Sequence, residues 1–132
     1  MIGIDTSVVV RYLVGTPEDQ ASRAAALIDD DGVSIGVSVV ALAECAHVLR
    51  TQYGIEQRDI VDALIDFVRR ENVHVVDAQA ELLAAMLVRA RSMPGRPIPD
   101  ALIVAALAAA GAVPLATFDR DQRRHGAPTR EP

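Results

Sequence analysis

The sequence predicts an α/β domain in which helices flank a central, mainly parallel sheet. Short apolar segments typical of buried strands alternate along the chain with longer segments whose apolar residues recur at helical spacing. The chain has 132 residues, of which 51% are hydrophobic and 23% charged, so it is long enough to bury one core without disulfides. No linker or repeat divides it, and we expect a single domain over residues 1–132.

The elements follow one another from the amino terminus with clear boundaries. The apolar start at residues 1–5 predicts a buried strand, and Ser38 is placed to cap a helix. The helix over 57–70 is clearly amphipathic, and Asp100 begins a helix after a proline-rich loop. The predicted strands are 1–5, 33–35, 73–76 and 114–117; the predicted helices are 7–13, 18–30, 38–52, 57–70, 80–93 and 100–110. We expect residues 120–132 to form a loosely ordered polar tail.

Composition excludes several classes of function. All 13 basic residues are arginine, and the chain has no lysine. A Schiff base, a P-loop phosphate site and the phosphoacceptor site of a receiver domain each need a lysine, so all three are excluded as they are usually built. The formal net charge of −5 argues against broad electrostatic binding of nucleic acid but permits a local site.

Cysteine content and hydropathy indicate the cellular compartment of the protein. Cys45 is the only cysteine, so an internal disulfide and a CxxC zinc or redox motif are excluded, and a buried structural thiol is expected. The longest apolar stretch, residues 101–112, is shorter than the roughly 20 residues that a membrane span needs. No basic segment precedes the apolar start. We therefore expect a cytoplasmic protein with no membrane contact.

Four acidic residues stand at the edges of apolar segments or inside one: Asp5, Glu44, Asp100 and Asp119. Acidic residues at such places usually need a partner, because burying an unpaired carboxylate is costly. If the four converge, each pair of carboxylates about 4 Å apart repels by roughly 4 kcal/mol at an effective dielectric near 20. Hard divalent cations are the usual counter-charge, so the pattern indicates a Mg²⁺ or Mn²⁺ site.

Each of these residues also has a simpler interpretation. Asp100 fits a helix N-cap, although the helix it opens is apolar on every face and should be buried. Glu44 fits a solvent-facing residue, although it lies on a stripe with Val40 and Val48. His47 is best interpreted as structural, and neither His74 nor His125 has the spacing of a metal ligand with another histidine.

The order of the segments and the four acids together resemble the PIN-domain ribonucleases, and in particular VapC-type toxins of bacterial toxin–antitoxin pairs. The resemblance covers nearly the whole chain and is carried by MIGIDTSVVVRYL, ALAECAHVLRTQYGI and IPDALIVAALAAAGAVPLATFDRD. The chain departs from the family pattern at Ile98 and Gln122, where relatives often have phenylalanine. A terminal strand is also hard to find in HGAPTREP.

The resemblance implies a three-layer PIN-like fold and a metal-dependent endoribonuclease. It maps the catalytic and metal-binding acids onto Asp5, Glu44, Asp100 and Asp119, with Mg²⁺ or Mn²⁺ as the cofactor. Thr6, Ser7 and Thr117 would support them. The implied partners are an RNA substrate, a small VapB-type antitoxin and a second copy of the chain in a homodimer. Arginines near the acids are candidates for RNA contacts: Arg11, Arg96, Arg120, Arg123 and Arg124.

Two alternatives remain beside this hypothesis. A catalytically idle interaction module would keep the acids as structural caps. A phosphohydrolase with an aspartyl phosphate is disfavoured, because the segment from Asp5 to Ser7 lacks a second aspartate and the chain has no lysine. The fourth acid is itself ambiguous between Asp119 and Asp121. We favour Asp119, because it directly follows a strand.

Overall fold

A computed structural model describes residues 1–132 and contains two parallel sheets. The larger sheet has the strand order β1 (Ile2–Gly3), β2 (Ile35–Val37) and β3 (Val73–Val75). β2 is the central strand, because Ile35 is paired with Ile2 on one side and with Val73 on the other. The predicted α/β class with a parallel sheet flanked by helices is therefore confirmed.

Six α-helices surround this sheet. They are α1 (Thr6–Val14), α2 (Glu18–Ile28), α3 (Val39–Thr51), α4 (Gln57–Val68), α5 (Ala80–Ala90) and α6 (Pro97–Ala109). The start of α3 follows local chemistry: the Ser38 hydroxyl accepts a hydrogen bond from the Ala41 amide at 3.2 Å and caps the helix as predicted. None of the six has the length and apolar character that crossing a bilayer requires.

Helix α4 shows how the sequence pattern makes the core. Its apolar residues recur at helical spacing, and Ile60, Val61 and Leu64 are buried almost completely. Full burial of one such side chain contributes about 1.5–3 kcal/mol relative to exposure. The opposite side of α4 exposes Arg58, Asp59 and Asp66 to solvent. The core is therefore mostly aliphatic, with Phe67 as its buried aromatic side chain, and α4 is anchored along its whole length.

Helix α6 begins earlier than the sequence predicts. We expected Pro94 to Pro99 to form a loop and Asp100 to cap the helix, but α6 starts at Pro97. Proline is well tolerated in the first turn, because the amide that it lacks has no partner there. Asp100 thus lies inside the first turn. The helix is also not buried on every side, since Ile103 is 51% exposed.

The carboxyl-terminal part forms the second sheet, in which β4 (Leu115–Ala116) pairs with β5 (Thr129–Arg130). The amides of Leu115 and Thr117 donate to the carbonyls of Pro128 and Arg130 at 2.8 and 3.0 Å. Between the two strands lies a 3-10 helix (Arg120–His125). Residues 120–132, for which we expected a loose tail, thus contain a helical turn and the terminal strand that was hard to find in the sequence.

Candidate active site

The four acids lie in two clefts. The first cleft is a cavity of about 430 Å³ that contains Asp5 and Glu44, and its lining is Asp5, Thr6, Ser7, Val10, Arg11, Glu44, Val48, Gln52 and Tyr53. The second cleft is a cavity of about 200 Å³ that contains Asp100, Asp119 and Asp121, together with Arg96, which precedes α6, and basic residues of the 3-10 helix. Each cleft therefore combines carboxylates with at least one arginine.

Asp5 is fixed at the amino end of α1. Its Oδ1 accepts hydrogen bonds from the Ser7 hydroxyl at 2.6 Å, the Ser7 amide at 2.9 Å and the Val8 amide at 3.4 Å. The bond from the Ser7 hydroxyl is the largest cause of the lowered pKa of Asp5, followed by the bond from the Val8 amide. Oδ2 accepts no hydrogen bond from the protein. Asp5 thus presents an anionic oxygen that is free for a ligand.

Glu44 is joined to the same helix from the opposite side of the first cleft. The Thr6 hydroxyl donates to Glu44 Oε2 at 3.0 Å and so links α1 with α3. Glu44 is exposed, and Val40, one turn earlier, is 64% exposed, so the apolar stripe seen in the sequence runs along an open surface. Glu44 Oε1 has no hydrogen-bond partner in the protein. The cleft therefore holds two carboxylates, each with an unused oxygen.

In the second cleft, Asp119 and Asp121 have different interaction partners. The Asp119 amide donates to Thr117 Oγ1 at 3.0 Å, and Asp119 Oδ1 accepts from the Asp121 amide at 2.9 Å. Asp121 forms an ion pair with Arg124 at 3.2 Å, whereas Asp119 has no cationic partner. A ligand of Asp119 therefore meets no competing ion pair, whereas a ligand of Asp121 competes with Arg124.

A divalent cation fits the chemistry of these residues, although not as a closed cage. Mg²⁺ prefers oxygen ligands and is commonly held by one or two carboxylates with water and substrate phosphate completing its shell. The carboxylates of both clefts are hard oxygen donors, and neither cleft contains a cysteine. The structure has no group of three or more histidine, cysteine, aspartate or glutamate side chains placed to hold one ion. The acids thus form two partial sites.

The five arginines singled out in the sequence all line a cavity that contains one of the acids. Arg11 lines the first cleft, and Arg96 and Arg124 line the second. Arg120 and Arg123 line a neighbouring groove with Asp119. Basic side chains beside carboxylates are suited to holding a phosphate backbone close to them.

Two residues near the clefts were missed by the sequence analysis. His125 lines the second cleft, is only 4% exposed, and its Nδ1 is buried without a hydrogen-bond partner. Nothing in the polar segment around it indicates burial. Tyr53 lines the first cleft and is 40% exposed. An exposed aromatic ring before a glycine gives no sequence signal that separates a cleft residue from a turn.

Cys45 takes no part in either cleft. Its side chain is fully buried in the core, and this burial raises the pKa of the thiol to about 12. A thiolate is therefore scarce near neutral pH, and Cys45 is excluded as a nucleophile. The expected role of this residue, a structural one in the core, agrees with its burial.

The chain is an α/β protein with a parallel sheet flanked by helices and with acidic side chains gathered in two clefts. The family model of the PIN domain matches residues 2–128, so the chain belongs to the PIN domain family. PIN domains are generally nucleases and typically use divalent metals. No curated protein matches the chain, and no solved structure does.

Proposed function

We propose that this protein is a Mg²⁺- or Mn²⁺-dependent endoribonuclease and the toxin of a bacterial type II toxin–antitoxin pair. Membership of the PIN family supports a nuclease. The observation that carries the proposal is the arrangement of the acids: each of the four has at least one carboxylate oxygen without a protein partner, and arginines line the same clefts.

Different residues of the chain would hold the cation and the RNA. Asp5, Glu44, Asp100 and Asp119 would hold Mg²⁺ or Mn²⁺, which when bound lowers the pKa of water and stabilises charge on the scissile phosphate. Ser7 keeps Asp5 ionised and oriented, Thr6 orients Glu44, and Thr117 fixes the backbone at Asp119. Arginines at the clefts orient the phosphate backbone.

Chelation followed by metal replacement tests this proposal. Protein treated with EDTA and freed of the chelator should not cleave single-stranded RNA. Mg²⁺ or Mn²⁺ should restore cleavage, whereas Zn²⁺ should restore little, because neither cleft offers a cysteine or a pair of histidines. A preparation of Asp5→Asn purified in the same way controls for contaminating ribonuclease. Full cleavage by the metal-free protein would contradict the proposal.

A catalytically idle interaction module is the second candidate, and one observation favours it. No three of the acids gather around a single point in the structure. In that case the carboxylates would serve only as caps and surface charges, as Asp5 does for α1. The same assay distinguishes the two candidates, since an idle module stays inactive with every metal while a nuclease is restored.

The proposed partners are a small VapB-type antitoxin and a second copy of the chain. Exposed aliphatic side chains on three helices support association: Val40 is 64% exposed, Val88 54% and Ile103 51%. An antitoxin that inserts a basic side chain among the acids would block the clefts. Light scattering should show a dimer at micromolar concentration and a larger complex with the product of the neighbouring gene. A strict monomer under both conditions would refute the partner proposal.

A further inference from the structure

A third cavity lies beside the two acidic clefts, where α3, α4 and the start of α6 meet. Its volume is about 160 Å³, and its lining is Ala46, His47, Arg50, Gln57, Ile60, Arg96, Ile98 and Pro99. His47 is one helical turn beyond Glu44, and Arg96 also lines the second cleft with Asp100. The cavity is therefore next to both groups of acids.

The inner wall of this cavity is apolar and its size fits one ring. Ala46, Ile60 and Ile98 line it, and each is at least 95% buried. A protein cavity of about 150 Å³ with aliphatic walls holds one benzene molecule, whereas drug-sized ligands need about 300 Å³ or more. The cavity of about 160 Å³ is thus suited to a single six-membered ring.

The mouth of the cavity carries cations without acidic partners. Arg50 Nη2 lies 3.3 Å from His47 Nδ1, and Arg96 is exposed at the start of α6. The four ion pairs of the protein involve other arginines: Arg23, Arg70, Arg91 and Arg124. Arg50 and Arg96 line the same cavity and form no ion pair, so both guanidinium groups are open to an external anion. A phosphate matches the fork of the guanidinium group.

Gln57 adds a fixed polar group to the wall. Its Nε2 donates to the carbonyl oxygens of Ala90 and Met93 at 2.8 and 2.9 Å, which ties α4 to the end of α5. These bonds fix the orientation of the amide plane, and Oε1 accepts no hydrogen bond from the protein. An acceptor held in this way can receive the N–H of a base edge, such as N3–H of uracil or the N4 amine of cytosine.

We propose that this cavity binds one pyrimidine base of the RNA substrate, with Arg50 and Arg96 on the adjoining phosphate. The inference rests on the proposed function, and it adds a subsite that would select the nucleotide beside the cleaved bond. The apolar wall packs against the ring, and Gln57 Oε1 accepts a hydrogen bond from its edge. The two arginines bind the negatively charged phosphate. A purine has a second fused ring and needs more volume than a pyrimidine, so we expect the cavity to favour the smaller base.

Titration of isotope-labelled protein with mononucleotides tests the subsite directly. The experiment uses UMP, CMP, GMP and ribose 5-phosphate in EDTA, and the readout is the chemical shift of amides around Ala46 and Gln57. We expect UMP and CMP to bind at least tenfold more tightly than GMP or ribose 5-phosphate. Arg50→Gln should weaken UMP and CMP binding by at least fivefold. Arg69→Gln, a matched loss of charge at an exposed site just after α4 and outside the cavity, should not.

Filling the cavity gives a second, independent test. Ala46→Leu adds apolar volume at the inner wall and should abolish the discrimination between pyrimidine and ribose phosphate. If this variant does not fold, Arg96→Gln replaces it and should weaken UMP binding as Arg50→Gln does. Equal binding of ribose 5-phosphate and UMP would overturn the base pocket, and so would equal binding of GMP. Perturbation of the cavity by a protein partner but by no nucleotide would also overturn it.

The outcome is separable from that of the proposed function. Binding is measured in EDTA and requires no cleavage, so a nuclease without this subsite would cleave RNA but show no nucleotide binding here. A binding module without catalysis would show the reverse. Only the nucleotide titration bears on the subsite.

Discussion

The two acidic clefts differ in how firmly the fold holds their carboxylates. In the first cleft, Asp5 accepts three hydrogen bonds from the start of α1, and Thr6 ties Glu44 of α3 to the same helix. In the second, Asp119 is held only by hydrogen bonds within residues 117–121. The carboxylate of Asp100, within α6, has no hydrogen-bond or ion-pair partner in the protein. The first cleft is thus organised by packed helices, and the second by a local turn.

This difference assigns the clefts different parts in binding. Side chains fixed by their supporting hydrogen bonds bind a ligand with little loss of entropy. The first cleft should therefore be the preorganised half of the site, while the second gains most of its order from a bound ligand. Variants in the two clefts should break function in different ways, and the following predictions run from the largest expected effect to the smallest.

The largest effect is expected at one acid in each cleft, Asp5→Asn and Asp100→Asn. Each should reduce RNA cleavage at least 100-fold, which corresponds to about 2.7 kcal/mol of transition-state stabilisation. Asparagine caps a helix about as well as aspartate does, so Asp5→Asn should keep its folding stability. Cleavage rates and thermal unfolding of purified variants measure both quantities. Full activity in either variant would remove that cleft from the reaction.

A smaller effect should separate the two aspartates of the second cleft. Asp119→Asn should lower cleavage at least tenfold, about 1.4 kcal/mol, because its carboxylate has no cationic partner to compete with a ligand. Asp121→Asn should change cleavage little, since Asp121 is already paired with Arg124. Rates at saturating Mn²⁺ on folded variants provide the comparison. The opposite ranking would move the fourth carboxylate to Asp121.

The smallest effect concerns the supporting hydroxyl of Ser7. The pKa of Asp5 lies below its ordinary value of 3.8, first because the Ser7 hydroxyl donates to it. Its folded pKa is thus below the unfolded one, so the ionised form stabilises the fold above pH 3.8, and this contribution is lost as the pH falls through the folded pKa. Ser7→Ala should raise the Asp5 pKa towards 3.8, and carboxyl NMR titration measures it. An unchanged pKa would show that the amides alone hold Asp5.

Much of the fold was predictable because it depends on local pattern. The cap at Ser38 and the apolar face of α4 are both written in neighbouring residues. The start of α6 was placed too late, because Pro97 was interpreted as a loop residue although proline is common in a first helical turn. The strand in residues 120–132 escaped notice, since two residues carry no periodicity and β5 exists through its pairing with β4.

The sequence indicates which residues belong to the candidate site, but not that they lie in two separate clefts. Asp5, Glu44, Asp100 and Asp119 stand out because each lies at the edge of an apolar segment or inside one. Whether they meet depends on how the two sheets lie, and no local pattern encodes that. The cavity with Arg50 and Arg96 is hidden for the same reason, because the start of α6, which is distant in sequence from α3 and α4, completes its wall. Tertiary packing, rather than composition, assembles both features.

A double-variant experiment tests most directly whether the two clefts serve one reaction. Glu44→Gln represents the first cleft and Asp119→Asn the second, and RNA cleavage is measured for each and for both together at saturating Mn²⁺. Residues that act as a unit are strongly non-additive, so each single variant should lose at least tenfold and the double variant clearly less than the product of the two losses. Single variants that each retain about half of the activity would instead show two independent sites, and losses that multiply fully would show that the clefts are uncoupled; either result would contradict the account.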